Sequence, residues 1–126
     1  MKILRQEKAF TLLEVLVAML LLTIGMLGVT NLTIGIIKGN SYSKNVTTAT
    51  VVAEQQIEQA QRIGYVGVDA VGGLVGNATV TMGGTSFTRT TAVTAGSPGP
   101  NMKAVSVGVT WNPGNNSVSL NTIISQ

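Results

Sequence analysis

Between Phe10 and Ile37 lie 28 residues with a single charged side chain, Glu14, in an otherwise largely apolar run. A bilayer's hydrocarbon core is crossed by about 20 apolar residues at 1.5 Å rise each, so this run is long enough to span. No proline occurs before Pro98, and nothing sterically breaks a helix through it. The carboxylate is the odd element. A charge at the centre of a span costs about 2.5–3.5 kcal/mol on insertion scales, and a plain anchor does better with leucine. Glu14 therefore asks for a positive partner, and the nearest candidate is an amine released when the chain is cut.

The flanks and the composition narrow the classes. Lys2, Arg5 and Lys8 outweigh Glu7 in a basic leader, which orients the helix with its N-terminus in the cytoplasm. An ordinary secretory signal has an apolar region of about 7–15 residues; this one is about twice as long and holds a glutamate near its start. The net charge of +3 is concentrated in that leader. Beyond it, Lys38, Lys44, Arg62, Arg89 and Lys103 are scattered against Glu14, Glu54, Glu58 and Asp69. Nucleic-acid binding wants a clustered basic patch, and Arg89 with Lys103 is thin support, so DNA is not expected as a partner. The chain has neither histidine nor cysteine, which removes the commonest general base and the commonest zinc ligands. Asp69 with Asn77, or the Asn112–Asn116 turn, offers too few carboxylates for calcium. No metal, cofactor or catalytic residue is expected, and the chain reads as a non-enzyme.

The second segment, Asn40 to Ile63, is amphipathic. Val46, Ala49, Ala53, Ile57, Ala60 and Ile63 recur at three and four, the spacing of one helix face. Glu58 and Arg62 form an i,i+4 pair in the favourable order, and Gly64 reads as the helix stop. In the apolar half, Gly25, Gly28, Gly35 and Gly39 allow two readings. Membrane helices tolerate glycine, and small residues also permit close helix packing or local stretching in an assembly.

After a glycine-rich connection the period becomes two. Ala78–Met82 and Thr85–Thr94 flank Gly83-Gly84, which predicts a tight hairpin. Ala95–Asn101, with Pro98 and Pro100, predicts a loop. Lys103–Trp111 alternates, with Val105, Val107, Val109 and Trp111 on one face. Asn112–Asn116 predicts a turn. Val118–Ile124 is the last strand, with Val118, Leu120, Thr122 and Ile124 on one side. A long helix packed on a small antiparallel sheet makes an α+β domain, with Trp111 expected in the core rather than in a binding site.

The segment Lys8-Ala9-Phe10-Thr11-Leu12-Leu13-Glu14-Val15-Leu16-Val17-Ala18 resembles the start of the type IV pilin family, which includes the type II secretion pseudopilins. With Gly25-Met26-Leu27-Gly28 it is most similar to the PilV-type minor pilins and similar minor pseudopilins. The resemblance is close over about the first 30 residues and general in shape thereafter. It departs from the family at Ala9, where most members have glycine. The resemblance implies a pilin-like fold with three parts: a prepilin leader over 1–9, a transmembrane and filament-core helix over 10–39, and a periplasmic or extracellular globular domain over 40–126.

It further implies that prepilin peptidase cuts between Ala9 and Phe10 and that Phe10 is N-methylated. Phe10 and Glu14 then guide assembly, the carboxylate meeting the N-terminal amine of a neighbouring subunit. The implied partners are major and minor pilins, the peptidase, the inner-membrane assembly platform and, before assembly, membrane lipid. The chain would sit in the bacterial inner membrane with its C-terminus periplasmic, then in a pilus. Two alternatives stand beside this: a minor pseudopilin of a type II secretion system, and a single-span inner-membrane protein with a small periplasmic binding domain.

Overall fold

A computed structural model describes residues 10–69, 74–112 and 114–126. It contains one helix, α1 (Leu12–Gly67), and four strands: β1 (Gly76–Met82), β2 (Thr85–Ala95), β3 (Met102–Trp111) and β4 (Asn116–Ser125). The chain divides into two compact units, Met1–Asn40 and Ser41–Gln126. The expected leader and part of the glycine-rich connection, Gly72 and Gly73 included, lie outside the described residues.

In the first unit the described residues from Leu12 onward are helical and none is buried. The helix is regular through Gly25, Gly28, Gly35 and Gly39; the one non-helical residue inside α1 is Gly64. The local stretching considered for those glycines is therefore not a feature of the free chain. Three threonines of this half turn inward to their own backbone. Thr23, Thr30 and Thr33 each donate a hydroxyl to the carbonyl four residues back, at 2.8–2.9 Å. That bond satisfies a hydroxyl without water or a partner chain.

The second unit is the α+β domain. The strands form a meander, β1-β2-β3-β4, with every neighbouring pair antiparallel. Gly83 and Gly84 have φ of 58° and 81° between the paired residues Met82 and Thr85. A two-residue type I′ turn needs positive φ at both positions, which is why both are glycine. The helix departs from expectation at its end. Gly64, at φ 76°, breaks the regular helix where a stop was expected. One further turn follows, closed by the Val68 amide donating to the Gly64 carbonyl at 3.2 Å.

The core lies between the helix and one face of the sheet. Ala49, Val52, Ala53 and Ala60 meet Phe87, Val105, Val107, Val109, Trp111 and Ile124 in one buried cluster. Trp111 is flanked by Phe87 and Tyr42, with ring centroids 6.0 and 6.3 Å away. The expected valine ladder is buried throughout. The helix face is broader than its expected stripe, because Val52 and Gln56 are also buried, while Ile63 is exposed. A stripe read at strict three–four spacing misses the flanking positions of a face more than 100° wide. Nor do Glu58 and Arg62 close a salt bridge; both are exposed, where such pairs contribute only about 0.3–0.5 kcal/mol.

Truncating Trp111 removes the largest side chain of this small core. Trp111→Ala is expected to cost about 3–5 kcal/mol. Far-UV circular dichroism of the full chain in detergent should then show loss of the cooperative sheet transition. A melting curve matching the parent's would place Trp111 outside the core.

Candidate functional site

The candidate site is the start of α1. Its first turn is organised by Thr11, whose hydroxyl accepts the Glu14 amide at 3.2 Å while its carbonyl accepts the Val15 amide at 3.2 Å. A helix begins with four amides lacking partners, and a threonine N-cap supplies one of them. Thr11-Leu12-Leu13-Glu14 also has the spacing of a capping box. Glu14 thus sits in the first turn, where the helix dipole favours negative charge. This role of Thr11 was not part of the sequence reading, although its signal, Thr-x-x-Glu before an apolar run, stood in plain view.

Around that turn the surface is apolar and uncovered. Phe10 is 79% exposed and Leu12 85%, and the helix is long and apolar enough to cross a membrane. Among the described residues the Glu14 carboxylate has no hydrogen-bond or ion-pair partner. Ala9 lies outside the described residues, so the geometry of the expected cleavage bond does too. Glu14, Ala18, Leu21, Gly25, Gly28, Leu32, Gly35 and Gly39 follow one another at three and four along a single helical stripe. A Cβ added at any of these glycines meets nothing within 4 Å. Their small size is therefore not required by packing within the subunit.

The soluble domain holds a second polar cluster that the sequence reading missed. Lys103 lies on the buried face of β3, continuing the alternation below Val105. Its Nζ donates to the Tyr65 carbonyl at 2.6 Å and to Asp69 Oδ1 at 2.7 Å, and stands 4.3 Å from the centre of the Tyr65 ring. The ammonium thus fastens the last turn of α1 and the residues after it to the sheet, at the helix end that favours positive charge. Asp69 pairs with Lys103 through Oδ1, and Asn77 lies in β1. Arg89 is half-buried on the inner face of β2, between Phe87 and Thr91. Neither of the two cations weighed for DNA therefore sits on an outward loop.

Residues 4–30 match the family described as the prokaryotic N-terminal methylation motif. The match supports a type IV pilin-like precursor processed by prepilin peptidase and assembled with other pilins. The motif and the long apolar helix are consistent with a membrane-anchored precursor. No curated protein and no solved structure matches the chain.

The Lys103 hydrogen bond, aided by its charge and opposed by desolvation, holds the Asp69 carboxyl below its usual value. A carboxyl with a depressed folded-state pKa stabilises the fold above its unfolded pKa, about 3.9. That contribution is lost as pH falls through the folded-state value. The parent is therefore expected to lose more melting temperature between about pH 5 and about pH 3, on either side of that unfolded pKa, than Asp69→Asn does. Equal losses would mean the pair carries no pH-dependent stability.

Proposed function

We propose that this chain is a minor structural subunit of a bacterial type IV pilus, of the PilV type, and not an enzyme. The observation that carries the reading is the methylation-motif match over residues 4–30 on a helix whose apolar surface is uncovered. The peptidase hydrolyses the Ala9–Phe10 bond on the cytoplasmic side and releases the Phe10 amine, which is then methylated. Until assembly, lipid covers the helix and the domain faces the periplasm. In the filament or its initiating tip complex, the helices of neighbouring subunits replace lipid. The Glu14 carboxylate then meets a neighbour's N-terminal amine.

The energetics explain why the pair belongs to the assembled state. A carboxylate among apolar side chains is costly alone, and an opposite charge with good hydrogen-bond geometry offsets that desolvation. The Thr11 cap fixes the turn from which Glu14 projects, so less ordering is needed on docking. The glycine stripe below it leaves room for another helix to approach closely.

Two measurements test this. Intact-mass analysis of the membrane form is expected to show a chain beginning at Phe10 with one added methyl group. An intact leader would instead favour a single-span anchor. Glu14→Leu is expected to keep or improve membrane insertion while its incorporation into filaments falls. Normal incorporation of that variant would remove the carboxylate from docking.

A further inference from the structure

Strand β4 is ten residues long and contains neither a charge nor a proline. Its register with β3 runs unbroken from Met102↔Ser125 to Trp111↔Asn116, so no bulge bends it away. It is the terminal strand of the sheet, and among the described residues no backbone hydrogen bond reaches its outer side. Such an open row of N–H and C=O groups is a template for another strand. Natural proteins blunt it with lysine, proline, bulges or very short strands. β4 has none of these devices.

The opposite edge has the same character. β1 is uncharged, free of proline and unbulged. Its side chains also match what β4 lacks on its open side. β4 carries half-buried Val118 and Leu120 on the core face and exposed Ser117, Ser119 and Asn121, with Ile123 beyond them, on the other. β1 carries half-buried Ala78 and Val80 on the core face and exposed Asn77, Thr79 and Thr81 on the other. A β1 strand laid beside β4 would continue both faces, apolar against apolar and hydroxyl against hydroxyl.

We propose that β4 of one copy pairs antiparallel with β1 of a second copy, in a head-to-tail contact. Polarity favours this pairing over β4 with β4. The four strands alternate in direction, so a copy repeated without reversal sets its β1 antiparallel to the preceding β4. An antiparallel β4–β4 contact needs one copy turned end for end. Copies added to one filament in the same orientation repeat without reversal, which rests on the function proposed above. The contact is heterologous, and two adjacent copies of a sparse subunit suffice to form it. One strand pair falls below the roughly 1,000 Å² of a stable interface; confinement in a membrane or filament raises the effective concentration that makes it count.

The chain has no cysteine, so cysteine cross-linking starts from a silent background. Two full-length, singly substituted chains are co-expressed in one membrane. One carries Thr79→Cys and the other Ser117→Cys, Ser119→Cys or Asn121→Cys, all at exposed positions. Disulfides form only between directly opposed positions, with Cβ atoms about 3.5–4.5 Å apart. Oxidation is expected to give a mixed dimer severalfold stronger at one of the three β4 positions than at the others. Adding Asn121→Lys to the Ser117→Cys and Ser119→Cys chains should cut that yield severalfold without lowering the melting temperature. The cross-link should persist when both chains also carry Glu14→Leu, which separates failure of this contact from failure of helix docking. Uniform background yields, a Ser119→Cys chain that dimerises alone as well as in the mixture, or indifference to Asn121→Lys would each overturn the proposal.

Discussion

A helix that enters hydrocarbon has to satisfy its backbone N–H and C=O groups within itself, because lipid offers no partners. The first half of α1 does this, and its side chains extend the same economy. Thr11 takes up the amides of Glu14 and Val15 at the start, and Thr23, Thr30 and Thr33 return their hydroxyls to the preceding turn. What this half leaves to its surroundings is apolar surface and one carboxylate. Neither requirement is met by the described residues of its own unit, so both have to be met by lipid or by other chains. Assembly in this reading follows from a deficit in the subunit rather than from a dedicated binding pocket.

The domain solves a different problem with few residues. Its helix face is built from small side chains, Ala49, Ala53 and Ala60, against large ones on the sheet, Phe87, Trp111 and the three valines of β3. Small-on-large packing brings the helix backbone close to the sheet and fills a core that a domain of this size cannot make deep. Two buried polar atoms, Gln56 Oε1 and Thr91 Oγ1, have no partner among the described residues, and an unsatisfied buried acceptor costs about 1–3 kcal/mol. The Lys103 ammonium, by contrast, is buried with a carbonyl, a carboxylate and an aromatic ring around it. That cluster closes the end of the core where the helix breaks at Gly64.

Much of this was legible in the sequence, and the misses have physical causes. The hairpin was readable because positive φ at two successive positions selects glycine. The β3 ladder was readable because a half-buried strand has a period of two. Lys103 was weighed only as one of two cations for DNA, although the alternation that buries Val105 also buries the residue two before it. The pattern placed Lys103 inside; what it lacked was the partner, Asp69, 34 residues away along the chain. Val52 and Gln56 were missed because a three–four stripe describes the centre of a helix face and not its margins. At the candidate site, Glu14 stood out as the lone charge in the span, while the Thr11 cap is legible only from the unpaired amides of a helix start, which a hydropathy pattern does not display.

The placement of charge connects the two units' separate problems. Exposed charges of the domain helix, Glu54, Glu58 and Arg62, keep that surface in water. Both edge strands, and the outer sheet positions from Thr79 and Thr88 to Thr110 and Ser117, carry hydroxyls and no charge. Charge on a sheet edge repels and desolvates poorly when a second strand approaches, so leaving it out removes the usual barrier to lateral contact. In lipid the apolar surface gives helices no hydrophobic reason to associate, so in this reading the Glu14 pair and close packing at small residues bring copies together, and neither sets how sheet edges meet. A strand pair does set it, because a shift of one residue moves every side chain to the wrong face. In this reading the lone carboxylate of the apolar segment supplies the reason to associate, and the uncharged edges supply a means of fixing register once association has occurred.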